Sequence, residues 1–266
     1  MGKSASRLCY NCFTSPQHDL GKQLVTYTDE KTSLQTADVH MPIRMISSPL
    51  PEHFHGNPYE HLANEITLKF LDKVHQPTVE GCVVMVEKDG IKVLAKDTPD
   101  GIFMWSEYRI PFRPQQVLSF ISKLERRKLW DSNIQDVRKV VQVNSSTYVS
   151  YTVYKGFLTV KSRDLVLLST QGKDGESYYE ASASVDIDEY PASNAHVRAR
   201  MLIGGFFIIP VQVEGGAEHS RILNFSESNI GGSMPMSFIK KMSASAIPKY
   251  VQSLSNALAK EAAQSS

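Results

Sequence analysis

Cysteine is scarce: Cys9, Cys12 and Cys82 are the three in 266 residues, too few for a disulfide framework. Long hydrophobic runs are missing as well. The longest, Met201 to Ile209, follows Arg198 and Arg200 and is stopped by Pro210, well short of the roughly 18 apolar residues of a spanning helix. No apolar stretch of the secretory type follows the N-terminus. Neither sign of charge is in excess, with 29 Lys+Arg against 28 Asp+Glu. That balance excludes the basic field of a nucleic-acid binder. The sequence also lacks G-x-S-x-G, a Gly-rich phosphate loop and any motif of paired carboxylates, so no familiar catalytic constellation is present. These absences point to a cytoplasmic chain of a reducing compartment that needs no cofactor.

What remains is an ordinary apolar fraction of 41%, enough to build a core, distributed unevenly. Residues 1–57 mix Ser, Thr, His and Pro without an apolar period and are expected to form a flexible tail. From Asn57 the patterns sharpen. Asn57-Pro58 reads as a helix cap followed by Pro at the first helical position. Leu62, Ile66, Phe70 and Val74 then recur at helical spacing up to Pro77.

Short β-rich runs follow at Cys82–Glu87, Ile91–Leu94 and Ile102–Ile110, with Asp89-Gly90 as a hairpin turn. Pro114 opens a second helix. Strands are then predicted at 137–143, 147–154, 165–170, 178–185, 196–203, 206–213 and 221–226, with antiparallel neighbours because most gaps are short. Ser233 and Pro235 introduce a long amphipathic helix with Pro248 inside it, and a kink is expected there. Residues 58–260 thus read as one α+β domain, and residues 261–266 as a disordered C-terminus.

The order of elements and three motifs resemble the START family (steroidogenic-acute-regulatory-related lipid transfer domains). The motifs are Arg126-Arg127-Lys128-Leu129-Trp130-Asp131, Ser162-Arg163-Asp164, and Gly231-Gly232-Ser233-Met234-Pro235 before the last helix. The resemblance implies a helix-grip fold, a curved antiparallel sheet around a lipid tunnel closed by the C-terminal helix. It also implies a lid made of the loop Lys155–Lys161 and that helix, with Gly156, Phe157, Leu158, Val160, Phe238 and Met242 as gate residues.

For the ligand, Arg127 matches the position where phosphatidylcholine-binding members place an arginine on the phosphate, beside Trp130. The positions of their choline cage read Thr152, Leu165 and Leu202 here, none aromatic, which removes the cation–π partners of a quaternary amine. The charged pair of sterol-binding members corresponds to the neutral Thr152 and Ser169. Strand alternation places Tyr148, Ser150, Thr152 and Tyr154 on one face, and Leu165, Leu167 and Ser169 are further candidates for lipid contact. The ligand class stays open between phospholipid and sterol.

Met1-Gly2-Lys3-Ser4-Ala5-Ser6 fits an N-myristoylation pattern on Gly2. Cys9 and Cys12 lie close enough to carry palmitate as a second anchor. The same cysteines as a zinc half-site would need two more ligands from His18, His40, His53 and His55, with no core to organise them; no metal site is expected. The sequence-level reading is a carrier or sensor of one lipid, tethered to a membrane surface. A membrane-recruited adaptor and a helix-grip enzyme are the alternatives.

Overall fold

A computed structural model describes residues 57–156, 160–233 and 235–264. The first helix, α1 (Pro58–His75), is capped by Asn57, whose side-chain oxygen accepts from the Tyr59 N–H at 3.0 Å. Its buried positions, Tyr59, Leu62, Ala63, Ile66, Phe70 and Val74, lie on one stripe, as an amphipathic helix on a sheet requires. Three strands follow: β1 (Val83–Lys88), β2 (Ile91–Thr98) and β3 (Gly101–Ile110). Asp89 and Gly90 both have positive φ, 53° and 73°, the backbone of a tight hairpin turn.

Two short helices, α2 (Pro114–Ile121) and α3 (Arg127–Trp130), lead to β4 (Ile134–Gln142), β5 (Thr147–Tyr154), β6 (Arg163–Asp174) and β7 (Ser177–Ser184). Then come β8 (Val197–Arg198), β9 (Arg200–Gln212), β10 (Glu218–Asn229) and α4 (Met236–Gln264). All strands join one curved sheet in the order β1-β2-β3-β10-β9-β7-β6-β5-β4, with β8 beside β6.

Both faces of the sheet are covered. Val149, Tyr151 and Val153 of β5, Val166 and Leu168 of β6, and Phe207 and Phe225 pack against α1 in one apolar cluster. The opposite, inner face carries Tyr108, Ile110, Phe206, Ile208 and Ile222, which pack with α2, Trp130 and Val251, Leu254 and Leu258 of α4. Burying apolar side chains on both faces is what holds so large a sheet together. Among the described residues no helix is long and apolar enough to cross a membrane.

Three expectations need correction. The runs 196–203 and 206–213 are not two strands. The chain forms the two-residue β8 and then one continuous β9 through Gly204-Gly205. Gly205 takes a φ of 149° without ending the strand. Secondly, β8 pairs with β6 in parallel, Arg163 with Val197 and Asp164 with Arg198; the long excursion through β7 permits a crossover that short gaps would forbid. Thirdly, residues 261–264 are helical. Glu261 pairs with Lys123 and Arg126, and Ala262-Ala263 favour helix. The tail, with Gly2, Cys9 and Cys12, lies outside the described residues.

Candidate functional site

The register of β5 and β6 brings the candidate residues together. Tyr148 lies opposite Ser169, Ser150 opposite Leu167, and Thr152 opposite Leu165. These rows share a face, since side chains alternate along each strand, and α1 occupies the other. On β7 the same face continues with Ser182 beside Ser169 and Glu180 beside Gln171. Ser169 and Ser182 hydroxyls are 2.8 Å apart. The inner face is therefore apolar beneath α2 and the C-terminal half of α4, and polar toward β5–β7.

Arg127 projects into the polar end from the first turn of α3. Its Nη1 is 3.9 Å from Glu180 Oε1, and its guanidinium lies 5.4 Å from the Trp130 ring centre. Trp130 is 1% exposed and meets Tyr250 of α4 edge-on at 5.2 Å; it is a wall behind Arg127 within the apolar cluster. Glu180 Oε2 accepts from the Tyr148 hydroxyl at 3.1 Å and from Gln171 Nε2 at 3.0 Å.

Burial works against the charge on Arg127. Glu180, with the phenol oxygens of Tyr154, Tyr148 and Tyr250, outweighs it and holds the guanidinium charged. Burial raises the Tyr148 hydroxyl, and the neighbouring Glu180 carboxylate adds to the effect. Tyr154 is pushed up to about 12, first by burial and then by Asp131. Asp131 itself is raised by burial, against the Asn133 backbone N–H and the Arg127 charge. Arg127 Nε and Trp130 Nε1 are buried without a hydrogen-bond partner.

Burial opposes the charge on Arg127 and raises the hydroxyls of Tyr154 and Tyr250. All three nevertheless keep accessible surface, 19% for the Arg127 side chain.

Other candidates fall elsewhere. Leu202 sits where the β9–β10 register slips, unpaired between Met201 and Ile203, and lines a cleft beside α1 with Lys69 and Lys73; it does not join Thr152 and Leu165. At the gate, Gly156 approaches closely enough that a Cβ would lie 2.3 Å from the Val160 carbonyl oxygen. Val160 is half-buried, while Phe157 and Leu158 lie outside the described residues. On α4, Phe238 is 45% exposed and Met242 half-buried.

Arg198 keeps only 11% of its side chain exposed. It makes a two-pronged ion pair with Asp164. Among the described residues no cluster of His, Cys, Asp or Glu could hold a metal ion. Cys82 packs against the α1 cluster as a small hydrophobe, and burial raises its thiol.

Sequence reasoning missed Glu180. A lone carboxylate in the small-residue run Ala181-Ser182-Ala183-Ser184, on the same side as Ser182 and Ser184, was the available signal.

Known proteins supply the remaining comparison. The START domain family model matches residues 79–264. Human StAR-related lipid transfer protein 6 is 26% identical over 145 residues, 53% of this chain and 65% of that protein. A rat acetyl-coenzyme A thioesterase is 24% identical over 161 residues, 57% of this chain and 29% of the enzyme. Both alignments thus span less than two thirds of the relative's own length.

Human StAR-related lipid transfer protein 5 superposes with a TM-score of 0.67 at 15% identity, covering 76% of this chain and 97% of that one. Human STARD10 superposes at 0.63 with 21% identity, covering 73% and 79%. At these identities the structures testify to the fold, and the family match spans most of the chain, motifs included. The chain belongs to the START domain family.

Proposed function

We propose that this domain binds one lipid between the inner face of the sheet and α4, and exchanges or senses it at a membrane. The observation that carries the reading is the polar end of an otherwise apolar interior. Arg127, Tyr154 and Tyr250 are only half-buried there, and polar groups destabilise a core unless something polar meets them. An acyl or sterol body would gain about 0.8 kcal/mol for each CH₂ buried beside the apolar residues.

Passage requires an opening, and α4 is held unequally. Its C-terminal half buries Val251, Leu254 and Leu258 and is pinned by Glu261 to Lys123 and Arg126. The N-terminal half has buried Ile239 and Ala244 and the Lys240–Asp97 pair at 2.9 Å. Pro248 separates the halves and leaves the Ala244 carbonyl without its helical donor, which makes it the place to bend. Arg163 ties the gate together, donating to the carbonyls of Lys161 and Ile230.

Among the described residues the competing enzyme reading finds a foothold in Ser162 Oγ, 2.6 Å from His196 Nδ1. The adjacent carboxylate, Asp164, is engaged by Arg198 and Tyr151, so the pair reads as a tie at the base of the gate.

Native mass spectrometry of the full chain, purified without detergent, tests the carrier. The expected result is one lipid mass per protein. A chain that stays empty after exposure to mixed liposomes overturns it and favours the adaptor.

Tethering by Gly2, reinforced by Cys9 or Cys12, belongs to the same proposal. One myristoyl chain binds membranes only marginally, so a second anchor is needed. Gly2→Ala should move the protein from the membrane to the soluble fraction of its own cells, and an unchanged distribution removes the tether.

A further inference from the structure

We infer that Glu180 sets the class of lipid: together with Arg127 it selects a lipid whose polar end is an uncharged alcohol and rejects one ending in phosphate. The inference rests on the reading of this interior as a lipid site. Its starting point is the 3.9 Å between Arg127 Nη1 and Glu180 Oε1. That separation is an ion pair but too long for a hydrogen bond. The other carboxylate oxygen, Oε2, is already engaged by Tyr148 and Gln171. The pair therefore sets an Arg127 donor and Glu180 Oε1 side by side with no hydrogen bond between them.

A hydroxyl can satisfy both, accepting from the guanidinium while donating to the carboxylate. A phosphate diester can only accept, and it brings a negative charge against Glu180. Nor is Arg127 free to compensate a second anion. Asp131 is a further buried carboxylate within its field, so two carboxylates already share this one guanidinium. The remaining inner-face groups, Ser150, Thr152, Ser169 and Ser182, are neutral and hydroxylic. An arginine whose sequence position suggests phosphate recognition is thus turned to a different use by a residue more than fifty positions away in the chain.

The test is competitive loading of the full-length protein. Vesicles containing phosphatidylcholine, phosphatidylglycerol, cholesterol and dioleoylglycerol are incubated with the protein, and bound lipid is read by native mass spectrometry. Wild type should carry cholesterol or dioleoylglycerol, whichever the cavity fits, in excess over both phospholipids. Glu180→Gln keeps the shape and the contacts to Tyr148 and Gln171 but removes the charge. It should raise the ratio of phospholipid to alcohol lipid by about tenfold or more, since like-charge juxtaposition costs several kcal/mol.

The double variant Glu180→Gln with Arg127→Gln should lose that gained phospholipid, a reversal that a merely structural role for Glu180 would not produce. A wild type loaded mainly with phospholipid overturns the inference and leaves the carrier intact; so does an unchanged ratio in Glu180→Gln. A wild type that takes none of the four lipids overturns the carrier reading itself. The wild-type arm decides the matter even where the variants fail to fold.

Discussion

Replacing Arg198 by methionine is expected to lower the free energy of unfolding at neutral pH by about 3–5 kcal/mol, the usual consequence of stranding one partner of a buried ion pair. The pair joins β8 to β6. Arg198 Nε meets Asp164 Oδ1 at 3.0 Å and Nη2 meets Oδ2 at 2.9 Å, with 11% and 3% of the two side chains exposed. The Tyr151 hydroxyl donates to the same carboxylate at 3.2 Å, and Arg198 also donates to the carbonyls of Tyr190 and Pro191.

Burial alone would raise the Asp164 carboxyl. The hydrogen bonds and charge of Arg198 outweigh it and hold the group below the ordinary carboxylate range. A carboxyl with a depressed value in the folded state stabilises fully above its unfolded value of about 3.9, and loses that contribution as pH falls through the folded value. In the variant the sign reverses, because a buried carboxylate without its cation binds protons more readily when folded. The difference between wild type and variant should therefore be largest near neutrality and shrink in acid. Urea denaturation at several pH values reads both. A loss below about 1 kcal/mol at neutral pH, or one independent of pH, would show that the pair is replaceable.

The same residue shows where sequence reading stops. Alternation along β5 places Tyr148, Ser150, Thr152 and Tyr154 on one face, and the register sets the first three opposite Ser169, Leu167 and Leu165. Such periodicity is local and survives without knowledge of the fold. Arg198 and Glu180 are different. Whether a charged residue in a strand meets water or a partner depends on which strand or helix lies across from it. β8 is brought to β6 in parallel, and α3 is brought over β7; neither juxtaposition leaves a trace in the spacing of nearby residues. The Gly204-Gly205 pair misled for a related reason. Glycine in a strand marks either an end or a close approach of another backbone, and only the neighbouring strand distinguishes them.

That close approach leads to the second large effect, at Gly205. Gly205→Ala is expected to destabilise the domain by about 4 kcal/mol, adding left-half backbone strain of roughly 1–3 kcal/mol to an overpacking term of similar size. The backbone of Gly205 has φ 149°, which L side chains adopt only under strain. A Cβ built there would lie 1.9 Å from the Glu180 carbonyl oxygen and 3.0 Å from the Phe70 ring. On one side stands the backbone of β7, on the other the fully buried Phe70 of α1, stacked on Phe225 at 5.0 Å. Neither can yield cheaply, because a close-packed interior has no void to take up the displacement.

Relief has to come from separating β7 and β9 at the pair Ala181–Gly205. That pair is adjacent to Glu180, so the shift would reach the carboxylate facing Arg127. Lipid loading should accordingly fall in the variant at temperatures where its far-ultraviolet circular dichroism is still that of the folded protein. Gly175→Ala serves as the control: its φ is also positive, at 58°, but a Cβ there meets nothing within 4 Å. The control should lose no more than about 1 kcal/mol, the strain alone, and should load lipid normally. Equal losses at the two positions would mean that backbone strain decides both, and that the contact between β9 and Glu180 has no special part in shaping the site.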